Sequence, residues 1–539
     1  MAQLEQLYAR AVALIGERQF EAAEVACREI LKLLPNHPDT LNLQGLAQLR
    51  AGHHKRALTT FNRALKSNPR LTSIHLNIGI ANFEMDQLAD AKAAFIGALN
   101  VDPGSVEAHF QLAILAMRQF KFEEGVAHCR DALALQPDHA FAYAVMGEAL
   151  VLLGRFDEAR AALERANALN PRILNVYDNL GMLAENEGRE TDALAHFDKA
   201  ISIDPTFAGS HFNRAVTFLR RGNFELGFAE YDWRWRTART AQSTKLRPFT
   251  QPAWQGEKLV GGKLLLWGEQ GVGDEIRLSA LACDLRDRGV DLIVECDKRL
   301  VKLLARSLPG ATVVGRTDPP HRATADSEIA FQSAMESALQ FVRPTLNAFP
   351  KRQKYLSADP ERTQAIRQHL AAQAHGKPII GLSWGSYNPQ LSVGKTTSLG
   401  AWAPLLQRDD ASFVRLQKVS KDADAASLGS EARALLDRLG QFPNLDLVQD
   451  LDGLAALISA CDLVISVSNT TAHLAGALGV PTWVLLPFGH FQPWYWFKNR
   501  TDSPWYPSVK VYRPKGFGEW DAMVAQAIID LDAWTQSQR

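Results

Sequence analysis

Residues 468–471 read Ser-Asn-Thr-Thr and place three hydroxyls and one amide directly after an apolar β-branched run, residues 463–467. A helical pattern covers residues 472–478, and Gly479 and Pro481 end it before a second apolar run. The pattern predicts strand, loop, helix and strand. Free N–H groups and the helix dipole favour an anion at a helix N-terminus, and ligands of open α/β sheets lie at the carboxyl ends of strands. This loop therefore predicts a site for a phosphate-bearing molecule.

A second segment with acid–base chemistry follows the apolar strand pattern Lys263–Trp267. Residues 268–275 read Gly-Glu-Gln-Gly-Val-Gly-Asp-Glu, and a helix pattern comes next. At the end of a strand, this flexible turn directs Asp274 toward a ligand cleft, where a carboxylate can accept a proton. Asp274 is equally suited to cap the helix N-terminus. Glu275, and after it Glu269, are the alternative carboxylates.

The second half of the chain must position these groups, and its strand and helix patterns alternate. One alternation runs over residues 263–314 and another from Ile379 to a helix that begins near Trp520, which predicts parallel sheets. The stretch 321–359 is less regular and is expected to join two Rossmann-like lobes. The predicted divisions are a linker (240–260), an N-terminal lobe (261–345), an interlobe connection (346–377) and a C-terminal lobe with a C-terminal helix (378–539).

The first half of the chain repeats with a period of 34 residues. The period is marked by prolines and by columns of small residues and phenylalanine; the prolines are Pro35, Pro69, Pro103, Pro137, Pro171 and Pro205. This combination resembles the tetratricopeptide repeat, whose helix pairs stack into a solenoid with a concave groove. We expect six repeats and a partial seventh over residues 1–239. The aromatic segment 231–236 is expected to cap the last repeat or to dock it onto the second half of the chain.

One column of the repeats carries amides that face the expected groove. Its members are Asn77, Gln111, Asn179 and Asn213. In protein-glycosylating enzymes of similar layout, an asparagine ladder in this column grips a peptide backbone, so the resemblance implies a peptide groove. Leu43 and Val145 interrupt the ladder, and ordinary polar groove residues are the alternative.

Three segments of the second half together resemble the heptosyltransferase-like glycosyltransferases of GT-B architecture: Gly273-Asp274, Gly394-Lys395 and the block His473-Leu-Ala-Gly-Ala-Leu-Gly-Val-Pro481. The form fused behind tetratricopeptide repeats resembles bacterial protein glycosyltransferases, including those that modify flagellin. The resemblance implies an α + α/β protein, with an α-solenoid before an acceptor-side lobe and a donor-side lobe. It also implies inverting transfer of a sugar from a nucleotide donor to Ser or Thr of a protein, flagellin foremost, in the cytoplasm.

The resemblance also assigns roles to individual residues. Asp274 becomes the catalytic base, and Lys395 neutralises the phosphate of the leaving nucleotide. The donor is held by Lys395, Ser468, Asn469, Thr470, Thr471 and His473, and further donor or acceptor contacts are expected from Gly273, Glu275 and Trp496. Lys395 also fits an ordinary exposed loop lysine, and His473 a helix-starting residue bonded to its own loop. The aromatic runs around Trp496 fit a lobe-closing core as well as a stacking surface.

Ser468 departs from the family, because relatives usually carry aspartate five residues before the histidine. A missing carboxylate suits a donor that brings its own, such as a CMP-linked nonulosonic acid. The alternatives are a glycosyltransferase acting on lipopolysaccharide or a lipid-linked acceptor, and a non-catalytic repeat scaffold with a degenerate transferase domain. The sequence leaves the sugar, the acceptor residue and the anomeric outcome open.

Composition argues against several other classes of protein. Lys plus Arg and Asp plus Glu both number 59, so no general charge favours nucleic acid or an anionic membrane. The five scattered cysteines fit neither a zinc motif nor a disulfide framework. No signal peptide or membrane-spanning run is expected. Three Asp-x-Asp pairs lack a cradle-like context, so we expect no metal and no cofactor beyond the nucleotide sugar; they are Asp422/Asp424, Asp450/Asp452 and Asp530/Asp532.

Overall fold

The computed structural model describes residues 2–237, 246–385, 394–418 and 430–537. The chain divides into two compact units, Met1–Leu183 and Ala184–Arg539. This division lies inside the sixth repeat and not at residue 239, where the sequence placed the end of the repeat domain. The last helices of the repeat region therefore belong to the same unit as the parallel sheets.

Helix pairs of near-constant length fill the first unit. Its helices are α1 (Ala2–Gly16), α2 (Phe20–Leu33), α3 (Pro38–Arg50), α4 (His54–Ser67), α5 (Thr72–Glu84), α6 (Leu88–Val101), α7 (Val106–Arg118), α8 (Phe122–Leu135), α9 (Ala140–Leu152), α10 (Phe156–Leu169) and the start of α11 (Leu174–Asn186). The glycine column explains their close packing. A Cβ on Gly45 would lie 2.4 Å from Phe61, and one on Gly79 would lie 2.3 Å from Phe95. The small residue and the ring thus interlock within each pair, as the period predicts.

The second unit begins with the remaining repeat helices, α12 (Glu190–Ile203), α13 (Ala208–Arg220) and α14 (Phe224–Tyr231), followed by a 3-10 turn, Asp232–Arg236. These elements pack onto the rest of the unit through aromatic rings. Trp494 lies 6.3 Å from Phe224 and 6.2 Å from Tyr231 between ring centroids. Trp235 lies 5.8 Å from Trp267 of the first sheet. The aromatic segment therefore docks the partial seventh repeat onto the region of parallel sheets.

A four-stranded parallel sheet with strand order β3-β2-β1-β4 comes next. It comprises β1 (Lys263–Trp267), β2 (Asp291–Cys296), β3 (Thr312–Gly315) and β4 (Ile329–Ala334), with helices α15 (Val272–Asp287), α16 (Val301–Ser307) and α17 (Met335–Val342). The stretch that the sequence assigned to an irregular connection thus contains β4 and α17. Residues 329–334 read Ile-Ala-Phe-Gln-Ser-Ala. The small and polar residues in this stretch weaken the strand pattern in the sequence, but the stretch pairs with β1 in the sheet.

A five-stranded parallel sheet with order β6-β5-β7-β8-β9 completes the unit. Its strands are β5 (Ile379–Ser383), β6 (Ser412–Arg415), β7 (Leu463–Val467), β8 (Thr482–Leu485) and β9 (Val509–Tyr512). Its helices are α18 (Pro360–Ala374), α19 (Ala403–Leu406), α20 (Ser430–Asp437), α21 (Leu451–Ser459), α22 (Thr470–Leu478) and α23 (Trp520–Ser537). Strands β5 and β7 are buried along their length, as expected of a parallel sheet covered on both faces. These elements confirm the predicted α + α/β class.

Helix α18 lies within residues 346–377, which the sequence predicts to be the interlobe connection. Asp359 caps the helix by accepting from Arg362 N at 2.9 Å, and Pro360 occupies the first turn. Within the described ranges, no helix is both long and apolar enough to cross a membrane.

Candidate functional site

Two helix N-termini meet at the candidate site, since α15 begins just beyond β1 and α22 begins just beyond β7. A Cβ placed on Gly273 would lie 3.2 Å from His473 Cδ2 and 3.5 Å from Thr470 Oγ1. Only a residue without a side chain permits this approach comfortably. The structure therefore brings together the first turn of α15, which holds Gly273, and the first turn of α22, which holds Thr470 and His473; these turns are almost 200 residues apart in sequence.

Asp274 lies in the first turn of α15 with 23% of its side chain exposed. The N-cap is Gly271, three residues earlier, so Asp274 does not cap the helix. Its Oδ1 lies 3.4 Å from Arg277 Nη2 on the next turn. Asp274 is thus a partly exposed carboxylate at a helix N-terminus beside a buried cation, a suitable position for a base that meets a hydroxyl.

The buried guanidinium of Arg277 organises this side of the site, although its sequence position did not indicate a functional role. Its Nη2 donates to Glu336 Oε2 at 2.6 Å, and its carbon lies 4.2 Å from the ring centre of Tyr495. Burial acts to lower the pKa of Arg277, but the facing carboxylates of Glu336 and Asp274 raise it overall. Arg277 therefore stays charged. The available signal was an arginine inside the largely apolar helix segment 276–283.

His473 is a buried, neutral imidazole held by two phenols. Its Nδ1 lies 2.8 Å from Tyr506 Oη and its Nε2 lies 3.2 Å from Tyr495 Oη. The ring also stacks on Trp496, with centroids 5.4 Å apart. Burial, together with the positive charges of Arg277 and Lys395, lowers its pKa well below the ordinary value. The ring therefore bonds to Tyr495 and Tyr506 and not to its own loop, and it positions their hydroxyls.

Ser468 and Asn469 build the loop itself. Ser468 Oγ accepts from Trp496 Nε1 at 2.8 Å. Asn469 Oδ1 accepts from Ala472 N at 3.3 Å and caps α22, while Asn469 Nδ2 donates to Ser383 Oγ at 2.7 Å. These side chains thus shape the helix N-terminus. The first N–H groups of α22, at Thr470 and Thr471, are those that a bound anion would meet.

Lys395 belongs to a loop that returns to the carboxyl end of β5. Thr397 N donates to Trp384 O at 3.1 Å, and Gly394, with φ of +71°, packs against Phe491. The positive charge of Lys395 contributes, after burial and Arg277, to the lowered pKa of His473. Ser392 and Val393, which precede it in the predicted polar loop, lie outside the described residues.

The alternative carboxylates are engaged elsewhere. Glu275 is buried; its Oε2 accepts from Asp297 N at 2.6 Å and its Oε1 pairs with Arg316. Glu269 accepts from Arg234 Nη2 at 3.2 Å. Burial raises the pKa of Glu275 to about 7 and that of Glu269 to about 8, against the pull of their arginine partners. Both carboxylates are buried against arginines, whereas Asp274 keeps 23% of its side chain exposed.

The aromatic runs near residue 496 form core. Trp496 is fully buried and Trp494 nearly so, and Trp505 and Tyr506 are likewise buried. Trp496 therefore supports the loop through Ser468 and His473, and it offers no exposed face for stacking on a base or sugar. This corrects its expected contact with donor or acceptor.

The groove amides have neighbours on their own helices or on the adjacent repeat. Asn77 Nδ2 donates to Asn42 Oδ1 at 2.9 Å, and Gln111 Nε2 donates to Glu107 Oε1 at 2.6 Å. Asn179, which is buried, donates to Asn175 O at 2.8 Å. Asn213 lies on α13 in the second unit.

The described aspartate pairs are engaged in ion pairs. Asp450 caps α21 and pairs with Arg362, and Asp452 Oδ1 lies 2.7 Å from Arg306 Nη1. Asp530 Oδ2 accepts from Lys510 at 2.6 Å, and Asp532 pairs with Arg408 at 2.6 Å. Asp422 and Asp424 lie outside the described residues.

Comparison with known proteins identifies the helical region. Models of the tetratricopeptide repeat match residues 8–72, 76–140, 116–174 and 174–207. The N-terminal helices are tetratricopeptide repeats. Two solved structures resemble part of the chain. YrrB, described as a TPR protein with an unusual peptide-binding site, is 18% identical, and the match covers 34% of this chain and 95% of that chain with a TM-score of 0.30. A tetratricopeptide repeat protein from Parabacteroides merdae is 17% identical, and the match covers 43% of this chain and 92% of that chain with a TM-score of 0.37.

A longer relative extends the likeness beyond the repeats. Protein FlbA of Caulobacter vibrioides is 30% identical over 344 residues, which is 60% of this chain and 55% of that protein. The chain thus spans about half the length of this relative. Because the matched length exceeds the whole repeat region, the similarity reaches into the region of parallel sheets.

Proposed function

We propose that the chain is a cytoplasmic glycosyltransferase that transfers a sugar from a nucleotide-activated donor to Ser or Thr of a protein recruited by its repeats. The observation that carries this proposal is the close approach of Gly273, the residue before Asp274, to Thr470 and His473 at the N-terminus of α22. The carboxylate proposed to meet the acceptor hydroxyl thus belongs to a helix turn that packs against the helix end proposed to bind the donor phosphate.

The chemistry assigns a task to each group. Asp274 accepts the proton of the attacking hydroxyl. The N–H groups at the start of α22 and the ammonium of Lys395 stabilise the negative charge that develops on the departing nucleotide phosphate. Arg277 holds the carboxylate of Asp274 in place, and no metal or cofactor enters this scheme.

Ser468 bears on the donor. It fills the place of a family aspartate and accepts a hydrogen bond from the buried Trp496. The loop is therefore intact and carries no carboxylate at this position, which favours a donor with its own carboxylate, such as a CMP-linked nonulosonic acid. Flagellin is the first acceptor to test, because the repeat-fused enzymes that the chain resembles include flagellin-modifying ones.

The full-length chain, incubated with CMP-, UDP-, GDP- and ADP-linked sugars and flagellin of its host, tests the proposal by intact mass. Sugar transfer should occur with the native chain and be lost in Asp274→Asn, whereas Asp287→Asn, at the exposed end of the same helix, should stay active. Nucleotide binding by calorimetry should persist in both variants. Binding of no nucleotide by the native chain would favour the non-catalytic scaffold.

A further inference from the structure

A cluster of two histidines and one aspartate lies between α7 and α8 in the first unit. His109 Nδ1 is 3.5 Å from Asp131 Oδ2, and His128 Nδ1 is 3.8 Å from the same oxygen. One ligand atom of each residue lies within 4.8 Å of the other two. Both histidine side chains are mostly buried, and Asp131 is exposed at the rim.

The two distances, 3.5 Å and 3.8 Å, are at or slightly above the spacing of ligands around a tetrahedral cation, so small side-chain shifts would complete the site. Zinc bonds of about 2.0–2.2 Å give ligand–ligand distances of roughly 3.3–3.6 Å. The two Nδ1 atoms are buried and, among the described groups, have no hydrogen-bond partner. Buried polar atoms in proteins are nearly always satisfied, so this pair of nitrogens points to a ligand.

The neighbouring repeats show that packing does not require this cluster. His75 and His211 hold the position of His109 in other repeats, and the Nε2 of each lies 3.0 Å from a proline carbonyl. The equivalents of His128 are alanines in the first, third and fifth repeats, at Ala26, Ala94 and Ala162. Across the six full repeats of the sequence, the combination His, His and Asp occurs in the fourth alone.

We propose that His109, His128 and Asp131 bind a divalent cation of borderline softness, Zn²⁺ foremost, and that the cation joins α7 to α8. Neutral imidazoles and a carboxylate are ligands that zinc prefers, and three of them leave a fourth position for water. The nearby Lys92 is paired with Glu124 at 2.5 Å, which moderates its repulsion of a cation. The site belongs to the repeats and is separate from the proposed transfer chemistry.

Calorimetric titration of the metal-stripped full-length chain with Zn²⁺ tests the site. The native chain should bind one equivalent of Zn²⁺ tightly. Asp131→Asn and His128→Ala should each weaken this binding by at least about 10- to 100-fold, the loss that follows removal of a residue that only hydrogen-bonds to a metal ligand. His75→Ala is the matched control, because Ala94 and Gly97 replace the other two ligands there; it should bind as the native chain does.

Cobalt supplies a readout that a merely structural change would not mimic. Co²⁺ bound to the native chain should show the intense visible bands of a tetrahedral ion, and Asp131→Asn should abolish them while the thermal midpoint of the metal-free chain stays unchanged. Equal zinc affinity in native chain and both site variants, or bands unaffected by Asp131→Asn, would overturn the proposal.

Discussion

Gly273 lies directly against the ring of His473, so close that one added carbon would stand 3.2 Å from His473 Cδ2. The contact joins the helix that comes after the first strand of one sheet to the helix that comes after the third strand of the other. It therefore sets how closely the first turns of α15 and α22 approach each other.

Gly273→Ala should disturb this separation. The added methyl requires His473 or Thr470 to move by a few tenths of an ångström, while alanine itself favours the helix by about 1 kcal/mol. We expect the thermal midpoint to change little and nucleotide affinity to fall by about tenfold, or 1.4 kcal/mol, as measured by calorimetry. Gly271→Ala is the control, because its Cβ would meet nothing closer than Asp274 Oδ2 at 3.8 Å. Equal nucleotide affinity of Gly273→Ala and Gly271→Ala would contradict the role of Gly273 in spacing the two helix turns.

Arg277→Met should destabilise the second unit strongly. It leaves the buried carboxylate of Glu336 without its partner, and loss of one member of a buried pair costs about 3–5 kcal/mol. The double variant Arg277→Met, Glu336→Gln removes the stranded charge and should recover part of the loss in urea unfolding.

The control for Arg277 is Arg286→Met on the same helix. Arg286 pairs with the exposed Asp287 at 2.8 Å, and such surface pairs contribute about 0–1 kcal/mol. If both single variants cost the same, the buried network around Arg277 does not stabilise the fold as described.

Local sequence patterns predicted the strands and helices that carry the candidate site residues. Strand β1 spans the predicted 263–267, and the glycines after it mark the turn that holds Asp274. The sequence also predicts that Gly479 ends the second helix. Its φ of +74° is the left-handed conformation that glycine adopts easily at a helix end. The predicted helix starts are two to four residues late, because the patterns begin at 276 and 472 while the helices begin at Val272 and Thr470.

Partners brought in by tertiary packing were not readable. Tyr495 and Tyr506 bond to His473 from beyond β8, and Arg277 reaches Glu336 across 59 residues. Sequence periodicity does not indicate which distant tyrosine will contact a given histidine. Strand β4 escaped notice for another reason, because its composition has low strand propensity and helix α17 follows it without a turn.

Asn469→Asp should separate the capping role of this residue from its cross-strand role. Aspartate caps a helix as well as asparagine does. It cannot donate to Gly385 O, which Asn469 Nδ2 reaches at 2.8 Å, and it would place a carboxylate against that carbonyl. We expect a loss of about 1–3 kcal/mol in unfolding free energy.

Asn223→Asp is the matched control for Asn469→Asp. Asn223 accepts from Leu226 N at 3.2 Å as the N-cap of α14, and the bond is exposed. This variant should cost less than about 0.5 kcal/mol. A neutral effect at both positions would show that the tie between β5 and β7 is dispensable.

Stability should depend on pH through Glu269. Burial raises its pKa to about 8, above the ordinary 4.5 of a glutamate. Between these values the unfolded chain releases the proton that the folded chain keeps, so the contribution of this group to stability is full below pH 4.5 and is lost as pH rises toward 8. Glu269→Gln removes the titration.

The measurement is the difference in unfolding free energy between Glu269→Gln and the native chain from pH 5 to 8. The advantage of the variant should grow with pH by up to about 1.4 kcal/mol per unit. A difference that is flat over this range would mean that Glu269 is ionised in the folded protein and held so by Arg234.

Truncation should distinguish the compact boundary from the end of the repeats. The fragment 184–539 keeps α12–α14 and their aromatic packing, whereas the fragment 240–539 loses them and exposes Trp494 and its apolar surroundings. An uncovered apolar patch of this kind promotes aggregation.

We therefore expect fragment 184–539 to be soluble and to bind nucleotide as the full chain does, and fragment 240–539 to aggregate in size-exclusion chromatography. Within the longer fragment, Asn186→Ala tests one contact between the last repeats and the sheet region. Asn186 Oδ1 accepts a hydrogen bond from His490 N at 2.9 Å, and the next residue, Phe491, packs against Gly394. Nucleotide affinity should fall in this variant, since the Lys395 loop packs on Phe491. Glu225→Ala, on the first turn of α14, is the control. Soluble, nucleotide-binding behaviour of fragment 240–539 would refute the structural role assigned to the last repeat helices.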